Sequence, residues 1–220
     1  MLVDVGATTL DICGFVLHEL DDQDQYELLT ATVGRQGTAE VHRRRVSTLR
    51  CNGVPSIGLP DPLSPLPHWP GDYHRGCVCR PVDVDRDMRL EVAKAVMRHV
   101  MDLRRRRDPR SHRWRVGLPV FLCGGGSHIR LFASALDEAD ERMRSSLVTV
   151  GLRPRRLPMP DDLVNPDIDE QLFHRLSVAY GLSFNAWDIG GISPPRAIDD
   201  IPGPDTAPDI GDRFVSKDQV

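Results

Sequence analysis

Residues 1–17 alternate or run apolar on either side of Gly6-Ala7-Thr8-Thr9, a pattern that predicts a β-hairpin. YELLTATV at 26–33 predicts a third strand. Gly34 and Gly37 punctuate the chain, and Thr38–Arg50 then reads as a basic helix. From Asn52 to Pro81 the prolines at 55, 60, 62, 65, 67, 70 and 81 exclude a regular helix or a central strand. That stretch reads as a long loop or an irregular insertion. Met88, Val92, Val96, Val100 and Leu103 mark a helical stripe within Arg86–Arg107. VGLPVFLC at 116–123 predicts a buried strand that stops at the glycines 124–126. Ser127 then caps or begins a helix running to about Leu147. Pro154–Pro166 is extended and Pro-rich, and Asp169–Leu182 is helical with Leu172, Leu176 and Ala179 on one face. From Asn185 periodicity is lost, and the prolines 194, 195, 202, 204 and 208 among scattered acids predict a flexible tail.

Composition narrows the class. A chain of 220 residues, 40% hydrophobic, can bury one large core or two small ones. The net charge of -4 excludes a whole-chain nucleic-acid footprint. The clusters Arg43–Arg45 and Arg104–Arg107 read as solvated helix ends. No apolar run reaches the roughly 18 residues that a membrane span needs. Met1 opens directly into a strand and the five cysteines are an odd number, so the expectation is a cytoplasmic protein with free thiols.

Three segments carry candidate chemistry. In LVDVGATTLDI (2–12) a turn of small residues lets backbone N–H groups approach an anion, and Thr8 and Thr9 add hydroxyls. Asp4 and Asp11 are candidates to hold a cation or to orient water beside that anion. In FLCGGGSHI (121–129) a strand ends in glycines before a helix, so a flat ring or a sugar can lie against bare backbone near a helix N-terminus. A tight structural turn explains the same pattern. RLSVAYGLS (175–183) carries Ser177, Ala179 and Gly181, which permit close packing against another element. A fourth group, Cys51, His68, His74, Cys77 and Cys79, lies in or beside the Pro-rich stretch. The one-residue spacing of Cys77 and Cys79 does not suit a zinc knuckle, and these residues read as incidental to a loop. Cys13 and Cys123 read as small core residues.

The order and spacing of the three segments agree with one family. DVGATTLDI resembles the second phosphate-binding loop of the actin-like ATPases, the superfamily of actin, the heat-shock 70-kDa chaperones and the hexokinase-type sugar kinases. Its Gly-x-Thr-Thr-Leu-Asp-Ile form looks closest to plasmid-segregation actins. FLCGGGSHI resembles the superfamily's adenosine motif, and RLSVAYGLS its second connecting helix. The resemblance covers residues 1–184 and implies an α/β fold: a ribonuclease-H-like, actin-type ATPase lobe with a mixed sheet flanked by helices. Residues 43–107 would include a small inserted subdomain, and 185–220 a disordered tail. The adenosine motif follows the first loop too closely for both lobes, so the expectation is a second lobe alone, truncated at its N-terminus, with the first lobe missing.

The implied cofactors are ATP and Mg²⁺. Asp4 would act as the catalytic and metal residue. Gly6, Ala7, Thr8 and Thr9 would bind phosphates, and Gly124, Gly125, Gly126 and Ser127 would face adenosine. Members carry Gly where this chain has Ala7, and Ala disfavours positive φ. Asp11 reads as a brace for the loop. The implied partner is nucleotide, with self-association or a protein partner as a further expectation and neither nucleic acid nor membrane. The alternative is a non-catalytic remnant lobe acting as an interaction or assembly module.

Overall fold

The computed structural model describes residues 1–20, 23–51, 81–106, 113–147, 151–161, 163, 169, 172–185 and 190–193. The Pro-rich stretch 52–80, with His68, His74, Cys77 and Cys79, lies outside the described residues, as do the Cys51 side chain and the tail beyond Ser193.

Three consecutive strands, β1 (Leu2–Val5), β2 (Leu10–Leu20) and β3 (Gln23–Gly34), pair antiparallel. Helix α1 (Thr38–Cys51) follows β3 directly, and α2 (Pro81–Arg106) lies on the far side of the Pro-rich stretch. A single turn, α3 (Arg113–Val116), leads into β4 (Leu118–Cys123), which joins the other side of β1 in parallel. Helix α4 (Arg130–Leu147) returns the chain to β5 (Leu152–Arg155), parallel to β4. Helix α5 (Phe173–Gly181) and the short β6 (Gly191–Ser193), parallel to β3, complete the described elements. The fold is α/β: a mixed six-stranded sheet ordered β5-β4-β1-β2-β3-β6 and flanked by helices.

Alternation sorts the strand residues between two faces, and residues opposite one another in register share a face. Val3, Val5, Leu10, Ile12 and Val120 point to one side and join a continuous core with α1, α2 and α4. Helix α2 supplies Met88, Val92, Ala93, Val96, Val100 and Leu103, and α4 supplies Phe132, Ala135, Leu136, Ala139 and Met143. The sequence layout assigned the helix at 86–107 to an inserted subdomain; its apolar stripe lies in the main core. It also begins five residues earlier, at Pro81, where a proline fits the first turn because its missing N–H has no helical partner to lose.

The cluster Arg43–Arg45 differs from its reading as a solvated helix end. Arg43 is exposed, but Arg45 is fully buried at 1% exposure. Arg45 Nε and Nη2 donate to Asp85 Oδ1 and Oδ2 at 2.7 and 2.6 Å. Arg44 makes a second fork to Glu91 at 2.8 and 3.0 Å. These pairs fasten α1 to α2.

A second buried polar group sits between α2 and the sheet. His99 Nε2 lies 2.8 Å from Thr30 Oγ1, and Nδ1 lies 3.1 Å from Thr32 Oγ1. Burial drives the imidazole down to about 4 from its ordinary 6.5, with Asp102 pulling weakly the other way. Below pH 6.5 the unfolded chain therefore binds a proton that the folded one refuses. Stability falls as pH drops from about 6.5 to about 4, by at most about 1.4 kcal/mol per pH unit. His99→Gln is expected to flatten this part of the profile, read as urea midpoints at pH 7 and pH 5. An unchanged slope would show that His99 does not titrate this way.

Candidate functional site

The turn between β1 and β2 is shaped by the start of α1. Gly6 N donates to Thr9 O at 2.9 Å and closes the turn. Three amides at the head of α1 then donate into it: Gly37 N to Thr8 O at 3.3 Å, Thr38 N to Gly6 O at 3.1 Å, and Ala39 N to Ala7 O at 2.7 Å. Thr38 Oγ1 adds a long contact of 3.5 Å to Ala7 O. The first N–H groups of a helix lack intrahelical partners, and here loop carbonyls satisfy them. In a planar trans peptide the C=O and the following N–H point in opposite directions. Once the Gly6, Ala7 and Thr8 carbonyls face α1, the Ala7, Thr8 and Thr9 amides must face away from it. None of these three amides donates to a described residue. Ala7 and Thr8 are exposed at the tip. Successive amides aimed the same way form a concave anion site.

Two carboxylates flank this turn. Asp4 and Asp11 are opposite one another in the β1–β2 register, so both lie on the face away from the three-helix core. Thr9 Oγ1 donates to Asp11 Oδ2 at 3.0 Å, the bracing role expected of Asp11. Burial, followed by repulsion from Asp11, raises the Asp4 carboxyl above its ordinary 3.8. Mg²⁺ is usually held by one or two carboxylates, with phosphates and waters filling the other positions. The Asp4–Asp11 pair fits that donor set. Among the described residues no three His, Cys, Asp or Glu side chains gather to hold a metal.

The glycine triplet begins against Asp4. Asp4 is in register with Cys123, the last residue of β4. Gly124 has φ +83, and a Cβ there would collide with Asp4 Oδ1 and stand 2.6 Å from Val5 O. Only glycine lets the chain turn so close to that carboxylate. Gly126 N donates to Val5 O at 2.9 Å, while Gly125 is exposed and meets nothing nearby. Ser127 differs from its expected place at a helix start. Its Oγ donates to Gly124 O at 2.8 Å and closes the turn, and α4 begins at Arg130.

Helix α5 is fastened to this turn. Gly124 N donates to His174 O at 3.0 Å, and His128 Nε2 lies 2.9 Å from His174 Nδ1. A Ser177 hydrogen bond reaches Cys123 and partly opposes the rise of its thiol. Burial above all, with Asp4 second, pushes that thiol up to about 12, so Cys123 is unreactive at neutral pH. Cys13 is half-buried on the same face, its thiol raised chiefly by burial.

The structure thus brings Asp4, Gly6–Thr9, Asp11 and Gly124–Ser127 together at one end of the sheet. Sequence reasoning missed Gly37, His128 and His174 there. The sequence pattern marks Gly37 only as punctuation. Nothing in the spacing of the histidines, 46 residues apart, announces their contact. Ala179 and Gly181, expected to pack closely, are exposed on α5. So are Leu176 and Val178 on the helix and Leu172, Phe184 and Leu182 beside its ends, Leu182 at 80%. Val33, on the same sheet face as Asp11, is 74% exposed. No described helix is long and apolar enough to cross a membrane. No protein-family model matches this chain, and no curated protein matches it either.

Proposed function

We propose that this chain forms one wall of an ATP cleft, as the second lobe of an actin-like ATPase with a ribonuclease-H-like core. ATP hydrolysis then requires a first lobe to supply the opposite wall. The observation that carries this reading is the set of three amides at Ala7, Thr8 and Thr9 turned away from α1, next to two carboxylates and a glycine turn. The sheet supports the fold part of the proposal: β1–β2–β3 are antiparallel, and β4 and β5 run parallel to β1.

In this reading the amides and the Thr8 and Thr9 hydroxyls take the β- and γ-phosphates. Gly124, Gly125, Gly126 and Ser127 face the adenosine. Asp4, with Asp11 beside it, would hold Mg²⁺, which neutralises phosphate charge in such reactions. Asp4 also orients the attacking water. Its raised carboxyl is an argument for a cation, because burial next to Asp11 disfavours a lone negative charge. The exposed apolar side chains of α5 offer the first lobe a docking surface.

The same exposed helix favours a second reading, a non-catalytic lobe that works as an interaction or assembly module. Turnover and binding separate the two. On the first reading the isolated chain binds ATP weakly, depends on Mg²⁺ to do so, and hydrolyses ATP at the background rate. Turnover by the isolated chain comparable to a complete ATPase would refute the half-cleft proposal. A chain that ignores ATP but binds a protein through α5 would establish the second reading.

A further inference from the structure

We propose that Gly37 is a positioning residue for the phosphate loop, an inference that rests on the phosphate-binding reading above. Gly37 is buried, and its backbone lies against the Ala7-Thr8-Thr9 peptides. A Cβ at Gly37 would collide with the Thr8 carbonyl carbon and stand 2.6 Å from both Ala7 O and Thr9 N. All three are backbone atoms, which no rotamer change can move aside. They belong to the peptides whose orientation sets the outward amides.

The helix start and the loop therefore form one device. With no side chain at 37, the Gly37, Thr38 and Ala39 amides reach the Thr8, Gly6 and Ala7 carbonyls. Those bonds turn the carbonyls inward and so turn the Ala7, Thr8 and Thr9 amides outward. A methyl group at 37 pushes the helix start away from the loop. The carbonyls lose their donors, the peptides are free to rotate, and the amides no longer converge on one anion. Gly37 touches no ligand in this scheme and acts through the loop.

Two readouts test the proposal on the full chain labelled with ¹⁵N. The first needs no ligand: exchange of the Thr38 and Ala39 amides, whose protons are held by Gly6 and Ala7. Gly37→Ala is expected to speed their exchange at least tenfold. The second is a titration with inorganic pyrophosphate, followed at the Ala7, Thr8 and Thr9 amides. Saturable shifts are expected in the unaltered chain, with affinity at least tenfold weaker in Gly37→Ala. Should that variant fail to fold, Thr38→Pro takes its place. Proline suits a first helical position and deletes the amide bond to Gly6 O together with the long hydroxyl contact to Ala7 O. It is expected to speed Ala39 exchange and weaken pyrophosphate about threefold. Gly181→Ala, on open surface, is expected to change neither readout.

If the folded variants keep both the protection and the affinity of the unaltered chain, the proposal is overturned. If exchange responds but the unaltered chain does not bind pyrophosphate, the loop-positioning role of Gly37 stands and the phosphate reading fails.

Discussion

Replacing Asp85 with alanine is expected to lower the unfolding free energy by about 3 kcal/mol or more. Arg45 has a side chain only 1% exposed and meets Asp85 through two parallel hydrogen bonds. Removing the carboxylate strands a guanidinium that cannot shed its charge. The cost is thus mainly that of a buried cation that has lost two charge-assisted hydrogen bonds. Losing about 3 kcal/mol takes a large part of the roughly 5–15 kcal/mol that typically separates folded from unfolded domains. Arg45→Met combined with Asp85→Leu removes both charges and is expected to recover most of the loss. Urea denaturation of the three proteins reads this directly. A single Asp85→Ala variant as stable as the parent would show that the pair contributes little. The pair bears on the candidate site because α1 carries amides that hold the carbonyls of the β1–β2 turn, and α2 holds α1 in place.

Asp4→Asn is expected to act in opposite directions on stability and on cation-dependent binding. The Asp4 carboxyl is raised by burial and by Asp11, so its folded form holds a proton to higher pH than the unfolded chain does. Across the window from the ordinary 3.8 up to the raised value, stability falls as pH rises. The neutral amide escapes that loss, so the variant is more stable above the window and equal to the parent below it. In the proposed cleft the same change would remove a ligand for Mg²⁺. Stimulation of ATP binding by Mg²⁺ is expected to fall on the order of tenfold or more. Urea midpoints at pH 7 and pH 3, paired with ATP titrations with and without Mg²⁺, test both halves. A variant that is destabilised at pH 7, or that keeps full Mg²⁺ stimulation, would remove Asp4 from its assigned role. Gains in stability at the expense of binding are common where a charge is kept for function.

The hairpin 1–17, the helix from Thr38 and the strand ending at Cys123 were legible because long periodic runs meet glycine breaks. β5 was not, since Leu152–Arg155 is four residues long and contains Pro154, an acceptable residue only because this strand lies at the edge of the sheet. β6 has three residues in a stretch without periodicity, and only its parallel pairing with Gln25–Glu27 makes it a strand. Arg45 looked like its exposed neighbour Arg43 because no local pattern reveals that Asp85, forty positions away, will cover it. At the candidate site, Asp4, the small-residue turn and the glycine triplet stood out by composition. Gly37 and the histidine contact did not, because each depends on where α1 and α5 dock rather than on the residues beside it. The acids and glycines were therefore visible in the sequence, while the device that aims the amides emerged only from the fold.

In the proposed cleft one nucleotide spans the amides at 7–9 and the glycine turn at 124–127. Titration of the ¹⁵N-labelled chain with Mg-ATP tests this. Saturable shifts are expected at Ala7, Thr8 and Thr9 and at Gly124, Gly125, Gly126 and Ser127, all following one weak dissociation constant. No saturable shift up to about 10 mM, an affinity weaker than roughly 3 kcal/mol, would contradict it. Shifts confined to the exposed Arg153, Arg155 and Arg156 at the β5 edge would contradict it equally, since they would report a loose phosphate contact on the surface.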